Sequence, residues 1–286
     1  MVILLGLAAA VLYGTGDFLG GSATRKAPVL AVLTVAETAG AAAAIAAALL
    51  WPGPTSLAGL AWGFGAGVIG GLGLIIFYIG LAAGPIAIVA PVSGLVSTVL
   101  PVAVALAEGE RHGTNVYVGV LLCLVAIVLA SSAPGAGKRR HPGQPGPARA
   151  VLYGISSGVA FGLFFLLIRN AGQSGELWPV AAARIGELAL ILAAAAVSGR
   201  GLRLGIQGSG RRLFLAPASA GLIDVVANIC YVAATRTGTL GLAVVLASTY
   251  PGVTVLLAHV VLRERLRWVQ RIGLSLAAIG ILLVAI

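Results

Sequence analysis

Four acidic residues sit where acidic residues are expensive. Asp17, Glu37, Glu187 and Asp224 each fall inside a long apolar run, whereas Glu108, Glu110, Glu176 and Glu264 lie at run ends or in loops, where solvation accounts for them. An acidic side chain at mid-membrane depth costs roughly 2.5–3.5 kcal/mol on insertion scales. Such a group therefore faces a polar cavity or a partner, and it is a functional candidate by default. Proton carriage and the holding of a substrate's polar group are the chemistries available to it. Arg184 lies three residues before Glu187, on the same face of a helix, so a local ion pair stands beside a role in substrate binding for both. Glu37 has Thr34 at the corresponding offset, and nothing on its own helix neutralises it. A lone carboxylate in apolar surroundings suits proton coupling; a partner on another helix is the alternative. Asp17, in "YGTGDFLGG", is a second proton-coupling candidate, unless it simply reaches the interface.

Asp224 also heads a stripe. Asp224, Asn228, Tyr231 and Thr235 recur at i, i+4, i+7 and i+11 of an otherwise apolar helix. Interhelical hydrogen bonds would account for such a stripe. Lining of a substrate cavity, at least by Asp224, Asn228 and Tyr231, is the reading preferred here.

The elements that hold these residues are membrane helices. Of 286 residues, 59% are hydrophobic and 9% charged, against about 25% charged in a soluble domain; most of the surface must face lipid. Segments long enough to span, about 20 apolar residues each, occur at 2–22, 28–51, 57–82, 85–107, 116–133, 149–170, 178–198, 213–235, 239–261 and 267–286. The net charge of +10 resides in the gaps between them, as topology-setting charge does, so nucleic acid is not an expected partner. Cys123 and Cys230 lie inside apolar runs and imply no disulfide framework. His112, His141 and His259 are scattered, so no metal site or other cofactor is expected. "GAGVIG" at 65–70 and "GISSG" at 154–158 match enzyme motifs, but neither has the strand–turn–helix setting those motifs need. No catalytic residues are expected, and the chain is not read as an enzyme. Gly59, Gly63, Gly67 and Gly71 make one face of the third helix nearly bare backbone, suited to close helix packing.

The chain repeats itself. A shift of 154 residues brings Gly84, Glu110, Arg111 and Gly119 onto Gly238, Glu264, Arg265 and Gly273; a shift of 150 brings Glu37 onto Glu187. The expected organisation is a five-helix half at 1–133, a Pro/Gly/basic linker at 134–148 and a second half at 149–286. An odd helix number per copy turns the second copy over in the membrane, giving the inverted repeat found in many secondary transporters. The expected fold class is thus all-α integral membrane, with ten transmembrane helices as two inverted five-helix repeats.

Five helices twice, with Glu-Arg between the fourth and fifth of each half, resembles the drug/metabolite transporter superfamily and its EamA-type ten-helix branch. Pro251, thirteen residues before Glu264, and Arg184 in the seventh helix also fit; in the first half Ser97 and Thr34 stand at those places. The resemblance implies a secondary transporter, often an exporter, of a small organic metabolite such as an amino acid or related compound.

Taken together, these features predict proton-coupled alternating access in a bacterial plasma membrane, with a small-molecule substrate, membrane lipids as surroundings, and a monomer or homodimer. Arg184 and Glu187, if not simply paired, would bind a zwitterionic or anionic substrate. Pro251-Gly252 is the expected hinge. An antiporter of phosphorylated metabolites, a lipid-carrier flippase and a non-catalytic scaffold are the alternatives. Fourteen basic residues fall in the odd-numbered loops and three (Arg111, Arg169, Arg236) in the even-numbered ones, which by the positive-inside rule puts both termini outside, whereas ten-helix relatives commonly place them inside.

Overall fold

The computed structural model describes residues 1–83, 86–109, 113–131, 147–173, 175–198, 212–262 and 268–285. Among these every regular element is an α-helix: α1 (Val2–Thr24), α2 (Val29–Leu50), α3 (Leu57–Ala83), α4 (Ile86–Ala107), α5 (Thr114–Ser131), α6 (Pro147–Gly172), α7 (Leu177–Val197), α8 (Arg212–Thr237), α9 (Leu240–Ala247), α10 (Tyr250–Leu262) and α11 (Trp268–Ala285). Seven apolar rods are long enough to cross a bilayer, with Leu240–Val261 counted as one. Together with α4, α5 and α11 they make ten, matching the ten expected segments to within a few residues. Of the linker expected at 134–148, residues 134–146 lie outside the described residues and the last two belong to α6; the Glu-Arg pairs at 110–111 and 264–265 also lie outside the described residues.

The surface follows from the composition. Leu57 is 85% exposed, Val197 89% and Trp268 72%, which only a lipid environment makes cheap. Inside, small residues let backbones approach. The glycine face of α3 packs on α7: a Cβ at Gly67 would fall 1.9 Å from the Ala183 carbonyl oxygen, and one at Gly63 2.5 Å from that of Pro179. On the other side of the bundle, α2 and α8 cross as closely, where a Cβ at Gly221 would fall 1.9 Å from the Ala36 oxygen. The "GAGVIG" run is part of this packing and lies wholly within α3.

The contacts between the first five rods and the last five keep their pattern when the two sets are exchanged. α3 lies on α6 as α1 lies on α8; α3 lies on α7 as α2 lies on α8; α4 lies on α6 as α1 lies on α9 and α10; α2 meets α7, and α5 meets α11. The ninth rod alone is interrupted. Proline has no N–H, so Pro251 cannot donate to the Ala247 carbonyl, and α9 stops at Ala247 before α10 starts at Tyr250. In the gap the Thr249 N–H turns to the Leu246 oxygen at 3.2 Å, and the Gly252 N–H to the Thr249 oxygen at 3.0 Å. Pro251 itself packs against α4, where a Cβ at Gly94 would fall 2.3 Å from its Cγ.

Candidate functional site

The two close helix crossings enclose the charged side chains. α7 carries Arg184, 1% exposed, between its contact with α3 and its contact with α2. Its Nη1 donates to Glu37 Oε2 of α2 at 2.8 Å. The same nitrogen lies 2.7 Å from Glu187 Oε2, one turn along α7, but off the N–H direction, so that oxygen is an ion-pair contact without a hydrogen bond. Nη2 donates to Asp224 Oδ2 of α8. One guanidinium thus serves three carboxylates from three helices, while its Nε–H is buried and unpaired.

Of the two alternatives for Glu37, the partner on another helix is the one the structure contains. The local Arg184–Glu187 pair is present as well, but as one arm of a larger cluster. Glu37 and Glu187, matched by the 150-residue shift, meet on the same nitrogen.

The cluster forms part of the wall of a cavity. Arg184, Glu187, Asp224 and Asn228 line one part of it. Asn228 holds Asp224 in place: its Nδ2 donates to the Asp224 backbone oxygen at 2.8 Å and to Oδ2 at 3.2 Å, while its Oδ1 accepts from Tyr13 Oη at 3.0 Å. Gly70 and Leu74 of α3 also line it; they are the residues that the 154-residue shift matches to Asp224 and Asn228. Gly70 makes room for Glu187, because a Cβ there would fall 2.9 Å from Oε1.

The remaining wall is aromatic: Tyr13 of α1, Phe161, Phe164 and Phe165 of α6, and Tyr250 at the head of α10. Five of twelve lining residues are aromatic in a chain that is 6% aromatic, so the rings are concentrated here. Tyr13 contacts Phe165 and Tyr250 edge-on, at centroid distances of 6.1 and 6.2 Å. The Tyr250 hydroxyl is directed toward Ser93 and Ser97 of α4 without a hydrogen bond of good geometry.

Asp17 completes the lining. It reaches the cavity, and it has no hydrogen bond or ion pair among the described residues. Every acidic residue expected at mid-span is therefore in one place: three on Arg184 and one bare. Tyr231 is placed differently from expectation. It is fully buried outside the lining, its hydroxyl donates to the Phe165 oxygen at 3.2 Å and its ring lies 4.8 Å from that of Phe165; it supports the aromatic wall from behind. Thr235 Oγ1 donates to the Val232 oxygen at 2.8 Å within its own helix. The polar stripe of α8 thus divides into a cavity half and a packing half.

The aromatic wall escaped sequence reading. Phe161, Phe164 and Phe165 recur at helical spacing in an apolar run, a pattern shared with any buried helix, and only the fold shows that two empty sides of α3 and α1 face them. Among the described residues no group of His, Cys, Asp and Glu is arranged to hold a metal ion.

At the membrane edge, Arg169 at the end of α6 makes a two-pronged pair with Glu108 after α4, both arms 2.9 Å, and Arg236 at the end of α8 meets Glu176 before α7 at 2.9 Å. With the rods alternating in direction, both pairs lie on the even-numbered-loop face. The guanidinium beside it holds the exposed Glu108 carboxyl below the usual carboxylate range.

No curated protein matches the sequence. Twenty-six solved chains resemble it. One, a crystal structure described only as that of a protein, is similar with a TM-score of 0.71 at 21% identity, the alignment covering 99% of this chain and 95% of the other; at that identity the likeness is one of fold. Residues 148–286 match the EamA-like transporter family. Ten apolar rods make the chain a multi-pass membrane protein, and its second half is similar to the EamA-like transporter family, whose members are membrane transporters of small molecules.

Proposed function

We propose that the protein is a secondary exporter of a small organic metabolite in a bacterial plasma membrane, driven by protons that the cavity carboxylates exchange for substrate. The observation that carries this reading is charge imbalance: four carboxylates, Asp17, Glu37, Glu187 and Asp224, share one arginine. Fully ionised, that set would hold three uncompensated negative charges at mid-membrane depth, and each uncompensated buried charge costs several kcal/mol. Protons or a cationic group must enter when the cavity is empty or filled, respectively, which is what an exchanger requires.

The roles divide by position. Asp17, bare and in the cavity wall, is the group that exchanges its proton. Glu37, 3% exposed and held on Arg184, sets the charge of the cluster and does not meet the substrate. Asp224, Glu187 and Asn228 present polar atoms to it. Asp17 therefore takes the place that the sequence suggested for Glu37.

The halves, 1–133 and 149–286, are read as inverted repeats that rock about the cavity, and the break before Pro251-Gly252 is the hinge. The exchange-related packing of the two sets of rods supports that reading. Phosphate-carrying substrates are disfavoured, since Arg184, the one basic residue among the described residues that line the cavity, is already shared by three carboxylates.

The test is untargeted mass spectrometry of medium and cell extract from cells with the intact protein, without it, or with Asp224→Asn. A compound enriched in the medium only with the intact protein identifies the substrate and its direction. A compound enriched in the cells instead contradicts export, and identical profiles in all three contradict a transport role under those conditions.

A further inference from the structure

The "GISSG" run of α6, which lacks the setting of an enzyme motif, has a place in the packing between the two halves. α4 and α6 both start on the odd-numbered-loop face and lie side by side. Gly154, Gly158 and Gly162 put bare backbone of α6 on α4. A Cβ at Gly154 would fall 2.7 Å from Val92 Cβ, one at Gly158 2.6 Å from the Ser93 oxygen and one at Gly162 3.2 Å from the Ser97 oxygen. In the same stretch Ser157 Oγ donates to Ser93 Oγ at 3.0 Å. The next glycine of α6, Gly172, faces Val232 of α8 instead. Beyond Gly162 the two helices are joined by Arg169 and Glu108, about 10 Å further along α6 at 1.5 Å per residue.

On the reading that the halves rock about the cavity, we propose that the Glu108–Arg169 pair is a latch. It holds the halves shut at the even-numbered-loop face, and that face opens by its rupture, with α4 and α6 turning about their glycine crossing.

Three features set the pair apart from an ordinary surface contact. It is two-pronged, Nη1 on Oε1 and Nη2 on Oε2, both at 2.9 Å, a geometry that fixes orientation as well as distance. Glu108 lies just past the C-terminus of α4, where the helix dipole disfavours an acidic group; its own helix opposes the charge and the partner across the halves favours it. Gly109, at φ +87°, ends the helix there, its N–H turning back to the Leu106 oxygen at 3.1 Å. Finally, the pair crosses between the halves. Arg236–Glu176 on the same face joins α8 to α7, both in the second half, and would travel with it unbroken. The 154-residue shift matches Glu108 to Leu262, so the matched place on the opposite face cannot make such a pair.

The layer beneath the latch leads to the cavity. Ala105, one turn before Glu108 and 2% exposed, belongs to the same buried cluster as Ile168 and Phe165, and Phe165 is part of the cavity wall. An ion pair as exposed as this one shifts an equilibrium about twofold to fivefold, enough to bias the face toward closure and little enough to break in every cycle.

The test is thiol labelling at Ala105→Cys in the full chain in lipid, with Cys123 and Cys230 replaced by serine and a neutral hydrophilic maleimide as the probe. The labelling rate follows the population of the open even-numbered-loop face. Glu108→Gln and Arg169→Gln should each raise it about twofold to fivefold, and the double reversal Glu108→Arg with Arg169→Glu should bring it back toward the starting rate. Glu176→Gln, which breaks the pair within one half, should leave it unchanged. A thiol at Ala23→Cys, buried at 4% near the odd-numbered-loop end of α1, should not gain labelling in any of these. An unchanged rate in both single variants, an equal gain with Glu176→Gln, a gain in the double reversal as large as in the single variants, or an equal gain at Ala23→Cys would overturn the latch.

Because labelling needs no substrate, failure here and failure of the export reading are distinguishable. The expected rates without any exported compound keep the latch and remove export, whereas an exported compound with unchanged rates keeps export and removes the latch.

Discussion

The two halves of this molecule place similar backbones around the same cavity and fill them differently. Where α8 has Asp224 and Asn228, α3 has Gly70 and Leu74; where α7 has Arg184, α2 has Thr34, whose hydroxyl is spent on the Leu30 oxygen 2.7 Å away. Where the ninth rod has Pro251 and breaks, α4 has Ser97 and continues. Glu37 and Glu187 are the same residue in both, and they converge on one nitrogen. The first half supplies Asp17 and Tyr13 to the lining and Glu37 to the cluster, whereas the second half supplies the arginine, the oriented aspartate, the aromatic wall of α6 and the interrupted rod. Two sets of rods with exchange-related packing thus divide the charged and aromatic side chains of the cavity unequally. This also fits the extent of the family match, which covers residues 148–286.

The largest way to break that comparison is at Arg184. Arg184→Gln leaves Glu37, Glu187 and Asp224 without a counter-charge, and breaking a buried ion pair from one side costs about 3–5 kcal/mol. The variant should lose monodispersity or unfold at much lower temperature, and adding Glu37→Gln and Glu187→Gln should restore part of the loss. Thr34→Val, at the matched place in the first half, should change stability by less than about 0.5 kcal/mol.

Close packing comes next. Gly67→Ala and Gly221→Ala each drive a methyl group into a facing carbonyl and should cost about 1–3 kcal/mol, as overpacking does, in thermal unfolding of the detergent-solubilised protein. Gly65→Ala, with nothing within 4 Å of its Cβ position, should be neutral or stabilising by up to about 1 kcal/mol. If all three behaved alike, the helix crossings would not be as described.

Pro251→Ala restores the N–H that the Ala247 carbonyl lacks. It should leave stability equal or higher and slow the transport cycle measured in proteoliposomes; faster cycling would contradict a hinge at the break.

The smallest effect belongs to the edge. The Glu108 carboxyl titrates below its unfolded value because of Arg169, so its contribution is present above the unfolded carboxylate range and is lost as pH falls through the lower folded value. Both partners are partly exposed, at 45% for Glu108 and 23% for Arg169, and such pairs are worth at most about 1 kcal/mol. Glu108→Gln should therefore lower stability slightly at neutral pH and remove that part of the acid dependence.

Much of this was legible in the residues. Ten apolar runs with turn-rich gaps specify ten rods, because a lipid-facing helix needs a length fixed by bilayer thickness. The glycine spacing on α3 announced a close helix contact, since four-residue steps put bare backbone on one face; that the partner is α7 came only from the fold. The carboxylates were legible as groups that must face a partner or a polar cavity, because their cost at mid-span requires one. What the spacing did not reveal was their meeting: Glu37 and Arg184 are 147 positions apart, and only tertiary packing brings α2 against α7. Tyr231 shows the reverse error. Its place on a polar stripe suggested the cavity, yet a stripe spanning several turns passes from one neighbour to another, and by Tyr231 the neighbour is the back of α6. The aromatic wall was invisible for a simpler reason, that a phenylalanine facing a void and one facing a core have the same sequence signature.

The central claim is that the excess of carboxylates over one arginine holds an exchangeable proton at Asp17. Infrared difference spectroscopy of the full chain in lipid, stepping pH across the neutral range without any ligand, observes protonated carboxyl groups directly. The account predicts a carboxylic-acid band that titrates in the intact protein, is absent in Asp17→Asn and persists in Asp224→Ala. No titrating band in the intact protein, or an unchanged band in Asp17→Asn, would contradict it.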